Sequence, residues 1–213
     1  MIDESTIREI TLRVLQDTQV PIGVSGRHVH LCRADFDALF GVGAELTFKK
    51  ELMGGQFAAG ESVALVGKNH RVIQNVRVLG PLREFTQVEI SATDGFTLGI
   101  SAPLRDSGDL KGSAAVTLIG PKGVIYLGEG MIVARRHIHL SPADARVRNV
   151  HDKEIVRVRV SGPRGGILDN VLIRVDPSFT TEMHIDTDEA NGLGISTGAD
   201  AVICKMPTGG LEG

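Results

Sequence analysis

Tryptophan is absent from the 213 residues, tyrosine occurs once, and aromatic residues reach only 4%. A surface that grips nucleic acid by stacking bases therefore has little to be made from. Positive charge is not in surplus either: 23 Lys and Arg stand against 26 Asp and Glu, a formal charge of −3, which excludes the basic footprint of a nucleic-acid binder. Two cysteines, Cys32 and Cys204, are too few for a disulfide framework and fit a reducing cytosolic home. No apolar run approaches the ~18 residues of a membrane span, and the start MIDESTIREI lacks the basic end and greasy centre of a secretory signal. What is plentiful is glycine, with 26 residues, and an apolar share of 42% against 23% charged. That balance describes a globular chain able to bury a core, long enough for one large domain or two small ones.

Helical periodicity is sustained only near the start. Over residues 3–16, Ile7, Ile10, Thr11, Val14 and Leu15 share one face while Arg8, Glu9, Arg13 and Gln16 lie elsewhere. Thr6 and Glu9 have capping-box spacing, and Pro21 and Gly23 close the segment off. From Ile22 onward the chain reads as short β-branched runs broken by Gly and Pro, among them SVALVG (62–67), NVRVLG (75–80), AAVTLIG (114–120), EIVRVRVSG (154–162) and NVLIRVD (170–176). In VRVRV, Arg157 and Arg159 interleave with valines, the mark of a strand with one wet face. Runs spaced about 8–12 residues apart without long helices between them predict barrels or a sandwich rather than a βαβ sheet. Short helices are expected over ADFDALF after Leu31 and after Ser141, where Ser141 can cap and Pro142 can take the first helical position.

The chain also resembles itself. VSGRHVHLCRAD (24–35) aligns with VARRHIHLSPAD (133–144) at a shift of 109, and TQVEISATDGFTLGIS (86–101) aligns with TEMHIDTDEANGLGIS (181–196) at a shift of 95, with six identities in sixteen. Asn75-Val76 falls against Asn170-Val171. Two matches in the same order indicate a duplicated unit, and the unequal shifts place an insertion in the first copy near residues 41–60.

Under this alignment each copy offers three potential metal ligands: His28, His30 and Glu89 in the first, His137, His139 and His184 in the second. Residues two apart on a strand point to one side, so each His-x-His can present two imidazoles to one ion. Imidazole with an occasional carboxylate suits zinc, and three protein ligands leave a position for water or substrate. A single His-x-His more often packs or hydrogen-bonds, but two copies, each with a third ligand-type residue in register, favour metal. Cupins continue the motif to a glutamate on the same hairpin, whereas here Asp35 and Asp144 follow inside apparent helix starts. Amidohydrolase barrels need far more chain. Cys32, two residues past His30, stays open as a soft extra ligand.

Anion-binding candidates surround these ligands. Arg27 and Arg136 precede the two His-x-His pairs, Arg83 lies six residues before Glu89, and Arg105, Ser107, Lys111 and Ser113 crowd the glycine-bearing loop APLRDSGDLKGS. Arg105, Ser107 and Lys111 are read as cofactor-binding, with exposed backbone N–H groups facing a phosphate, against the competing reading of a polar surface turn. The loop lacks P-loop spacing. Arg83 is read as catalytic, since a guanidinium grips phosphate bidentately.

GVSGRHVHL, GPLREFTQVEIS, APLRDSGDLKGS, VARRHIHLSP and EMHIDTDEAN closely resemble the phosphate propanoyltransferases of propanediol utilisation, over about residues 20–204. The resemblance implies a mainly β fold of two β-barrels capped by short α-helices, with an N-terminal amphipathic helix over residues 1–18. It implies one barrel from residues 19–26 and 135–205 and another from 27–134. It also implies reversible exchange of acyl-CoA plus phosphate for acyl-phosphate plus CoA, with CoA as substrate, at a dinuclear zinc site between the barrels. One metal falls to His28, His30 and Glu89, the other to His137, His139 and His184, and Arg83 to phosphate; cobalt and iron stay open as alternatives to zinc. Residues 1–18 are expected to direct the enzyme to shell proteins, placing it in the lumen of a bacterial microcompartment. A homo-oligomer with small-molecule substrates, and without nucleic acid or membrane partners, is expected. Two rivals remain: a dinuclear zinc hydrolase, and a zinc-stabilised, shell-associated scaffold without catalysis.

Overall fold

Alternation of apolar and polar residues sets which face of each strand turns inward. Along Ile155–Val160, Val156, Val158 and Val160 are buried while Arg157 and Arg159 face out, as a side-chain period of two requires. The same rule builds most of a computed structural model that describes residues 3, 4, 19–52 and 55–204. The expected helix over residues 1–18 lies, but for two residues, outside the described ones.

The first copy of the repeat runs β1 (Gln19–Ser25), β2 (His28–Cys32), α1 (Arg33–Phe40), β3 (Phe48–Glu51), β4 (Phe57–Val66), β5 (Val72–Arg83), β6 (Gln87–Glu89), α2 (Ala92–Leu98), β7 (Leu104–Arg105) and β8 (Ala114–Ile119). The second runs β9 (Val124–Ala134), β10 (His137–Leu140), α3 (Pro142–Val147), β11 (Ile155–Val160), β12 (Gly166–Val175), β13 (Glu182–Asp186), α4 (Thr187–Leu193) and β14 (Asp200–Cys204). Without β3 and β7 the two orders are the same. The fold is therefore mainly β, with two six-stranded barrels and a few short helices. No helix among the described residues is long and apolar enough to cross a membrane.

The chain divides into two compact units. Of the described residues, unit 1 holds those up to Val24 together with Arg136–Ile185 and those from Glu189 to Cys204; unit 2 holds those from Ser25 to Arg135 and Asp186–Asp188. In unit 1 the barrel closes in the order β1-β13-β10-β12-β11-β14. In unit 2 the ring is β4-β5-β2-β6-β9, closed by β8, which pairs with both β4 and β9; β3 and β7 extend it at the edges. The strand ahead of each His-x-His is exchanged: β1 closes the barrel built from the second copy, and β9 closes the barrel built from the first.

Each barrel has its own core. In unit 1, Val20, Ile22, Ile138, Leu140, Val158, Ile173, Met183 and Ala201 fill the interior. In unit 2, Val29, Leu31, Phe36, Leu39, Leu65, Val78, Val88, Leu118 and Met131 do so. Burying one such aliphatic side chain contributes about 1.5–3 kcal/mol. Asn75 in β5 and Asn170 in β12 both take left-handed backbone angles, with φ of 58° and 56°. Asparagine is one of the few residues besides glycine that visits this region readily, which gives a physical reason for its recurrence at the aligned position.

The short helices begin where polar caps allow. Ser91 accepts from the Asp94 N–H and the Asp94 carboxylate reaches back to the Ser91 N–H, a complete capping box for α2. Gly99, at φ 68°, ends that helix in the left-handed conformation that glycine favours. Ser141 caps α3 with Pro142 in the first turn, as its sequence indicates.

Candidate metal centres

In β2, Val29 and Leu31 enter the barrel core, so His28 and His30 turn to the opposite face, yet both are buried. The antiparallel neighbour β6 sets Glu89 directly across from His28 and Gln87 across from His30. Unit 1 repeats the construction: Ile138 and Leu140 go inward, and β13 sets His184 across from His137 and Glu182 across from His139. The repeat alignment predicts this pairing, and the strand register produces it.

In each triad the ligating atoms lie within 4.8 Å of one another. In unit 2, His28 Nε2 stands 3.4 Å from the Glu89 carboxylate. Burial opposes charging His28, but Glu89 outweighs it and raises the ring's pKa above 6.5. Burial likewise opposes ionised Glu89, but His28 and the other partners hold its pKa well below the usual carboxylate range. His30 is pushed down to about 3 by burial, then by His28 and Arg83. In unit 1, burial and then His137, His184 and Arg174 push His139 down to about 3. Nδ1 of His30 and both ring nitrogens of His139 are buried without a hydrogen-bond partner. Two groups of three nitrogen and carboxylate donors, with the unclaimed nitrogens of His30 and His139 held neutral among them, fit a divalent metal, which takes deprotonated nitrogen and carboxylate donors.

Glu89 is held in place. The fully buried Gln87 donates from Nε2 to Glu89 Oε1 at 2.5 Å and lies 2.9 Å from Ser107 Oγ, while its own carbonyl accepts from the Gly108 N–H at 2.8 Å. The Ser107 hydroxyl donates to Glu89 Oε1 at 3.1 Å. One carboxylate oxygen is thus engaged by the amide and the hydroxyl, and the other faces His28. Arg83 ends β5 level with Cys32; its guanidinium donates to Gln56 at 3.1 Å and is close enough to lower the pKa of both His28 and His30.

A family model described as phosphate propanoyltransferase matches residues 21–196. The chain belongs to that family. Among its relatives, the phosphate propanoyltransferase of Lachnoclostridium phytofermentans is 54% identical over 90% of this chain and 93% of its own. That of Rhodobacter capsulatus is 56% identical over 88% and 87%, and that of Listeria monocytogenes 50% identical over 94% of each. Membership of the phosphate propanoyltransferase family makes the chain an acyltransferase.

Within this phosphate propanoyltransferase fold, other charged residues occupy different places. Arg27 is clamped side-on by Asp94, with Nε–Oδ2 at 3.0 Å and a second contact at 2.7 Å. Arg136 meets Glu189 at 2.7 Å and the Asp169 carbonyl at 2.8 Å. These arginines, read from sequence as anion-binding candidates, are taken up by protein acids 95 positions apart, each tying a His-x-His strand to the helix after the third ligand. The residues of the 104–113 loop do not converge. Ser107 turns to Glu89, Arg105 lies 3.6 Å from Asp109, and Lys111 lines an open cleft of about 460 Å³ with Asp35, Phe85, Thr86, Leu127 and Glu129. Cys32 and Cys204 join neither triad among the described residues.

Gln87 and Glu182 were missed by sequence reasoning. The signal was there: the shift of 95 that pairs Glu89 with His184 also pairs Gln87 with Glu182, one pleat away on the same strand face.

Proposed function

We propose that this acyltransferase moves a short-chain acyl group directly between CoA sulfur and inorganic phosphate, at two triads that each hold a divalent ion. The observation that carries the reading is the pair of ready-made three-ligand groups in a chain of the phosphate propanoyltransferase family. His28, His30 and Glu89 would hold one ion, and His137, His139 and His184 the other. Imidazole and carboxylate donors suit zinc, with cobalt and iron as further candidates. When bound, such ions supply Lewis acidity toward a thiolate sulfur and toward a carbonyl oxygen gaining negative charge.

Arg83 takes the phosphate. Its fork matches two phosphate oxygens, and its place beside His28 and His30 orients the nucleophile for attack. A phosphate oxygen bonds to the carbonyl carbon, the carbon–sulfur bond breaks, and the electron pair leaves with CoA as thiolate, which is then protonated. The reverse reaction runs the same steps backwards. No enzyme nucleophile enters, in keeping with two cysteines that lie outside both triads. Gln87 and Ser107 hold Glu89 so that its second oxygen stays directed at His28. Arg105 and Lys111 are assigned to CoA, as cationic groups for its phosphates. Residues 1–18 are assigned to shell association in a microcompartment on their amphipathic sequence pattern, a role tested by co-purification with shells after their removal.

The experiment is thiol release from acetyl-, propionyl- and butyryl-CoA with and without phosphate. Release that depends on phosphate, with acyl-phosphate formed in equal amount, is expected. Thiol release without phosphate identifies a hydrolase instead, and a metal-loaded chain that releases none identifies the scaffold.

A further inference from the structure

The two triads differ in charge as first counted. The unit 2 group carries one carboxylate, Glu89, whereas the unit 1 group is three histidines without a carboxylate. The strand register restores the balance. On β6 the positions facing β2 carry Gln87 and Glu89; on β13 the matching positions carry Glu182 and His184. Each strand therefore brings one acid to its histidine pair, and the copies exchange which of the two positions holds it.

Glu182 acts on the group it accompanies. Its Oε2 lies 2.8 Å from His184 Nε2, much as Gln87 touches Glu89 in the other unit. The space for this carboxylate is made by Gly23 on the neighbouring strand β1. A Cβ at Gly23 would come within 2.9–3.0 Å of the Glu182 carboxyl carbon and both its oxygens. Gly23 is not among the positive-φ residues, so its backbone does not demand glycine; a Cβ there would instead displace the Glu182 carboxylate.

We infer that Glu182 is the positioning carboxylate of the unit 1 metal-binding group, held against His184 and seated on the bare backbone of Gly23. The inference rests on the two-metal reading above. A carboxylate against a ligating imidazole fixes the ring and makes it a better donor, and losing such a partner costs about 10–100-fold in metal affinity.

The test is cobalt binding to the full chain, by chelator competition and visible absorption, in the wild type, Glu182→Gln, Glu182→Asp and Gly23→Ala. Two ions are expected in the wild type. Glu182→Gln should weaken one of them by about 10–100-fold and shift that ion's absorption, leaving the other unchanged, and Glu182→Asp should restore part of the loss. Gly23→Ala should weaken the same ion although Glu182 is intact, because the methyl displaces the carboxylate. This second variant keeps the test open should Glu182→Gln fold poorly. Two ions with unchanged affinities in both Glu182→Gln and Gly23→Ala overturn the role of Glu182 alone. A wild type that binds fewer than two overturns the two-metal reading and this inference with it.

Discussion

Unit 2 and unit 1 place their candidate metal ligands by the same strand geometry but support them with different chemistry. In unit 2 the third ligand is a carboxylate, and a buried amide and a hydroxyl engage one of its oxygens. In unit 1 the third ligand is an imidazole, and a carboxylate stands against its Nε2. A shared frame thus carries two triads of different composition. Both keep buried imidazole nitrogens without a hydrogen-bond partner, Nδ1 of His30 in unit 2 and both ring nitrogens of His139 in unit 1. On the function proposed above, two triads of different composition suit a reaction with two different groups to hold, a soft sulfur and a hard oxygen.

The largest effect that can break this comparison is loss of a triad. His30→Ala and His139→Ala should each lower phosphate-dependent thiol release by about 10³-fold, the scale of removing a main source of charge stabilisation; a variant with near-normal turnover would show that its unit is dispensable. Next comes Arg83→Ala, which should raise the KM for phosphate about 10–100-fold, the worth of hydrogen bonds to a charged group, with metal content unchanged. An unaltered phosphate KM would remove Arg83 from the phosphate site.

A smaller effect separates the units by pH. In the metal-free protein His139 stays neutral down to about pH 3, whereas its ring charges near 6.5 when unfolded. The unfolded chain then binds more protons, so acidification below 6.5 favours unfolding, by about 2 kcal/mol at pH 5. His30 imposes the same cost on unit 2. There His28, whose pKa is raised in the fold, contributes stability that is fully present below 6.5 and lost as pH rises through its folded value, which offsets part of that cost. Hydrogen exchange at pH 7 and pH 5 after chelation should therefore show β10 losing more protection than β2; equal losses would contradict the electrostatic contrast.

Smallest is the clamp comparison. Arg27→Ala leaves the buried Asp94 with only its helix-capping contacts, and with the arginine side chain 46% exposed the cost is held to about 1–2 kcal/mol. Denaturant unfolding should register that loss with the metal content intact.

Much of this was readable from the chain because it rests on local periodicity and on repetition. Val156, Val158 and Val160 alternate with arginines, so β11 shows its inward face. The third member of each triad was legible because Glu89 and His184 align between copies, although neither stands out alone. The residue pattern did not reveal that β1 and β9 are exchanged between barrels, since strand order is set by pairing across more than 100 residues; that reading came only through family resemblance. The partners of Arg27 and Arg136 lie 67 and 53 residues away, and an arginine beside a ligand motif carries no mark of the acid that will claim it. The 104–113 loop looked like one anion cradle because its polar residues are close in sequence; Ser107 instead turns to Glu89 while Lys111 turns to a cleft.

The central claim is that each unit holds its own ion. Metal counting on the purified wild type, His30→Ala, His139→Ala and the double variant tests it most directly. Two ions, one, one and none are predicted. A wild type that takes up fewer than two, or a single variant that still takes up two, would contradict it.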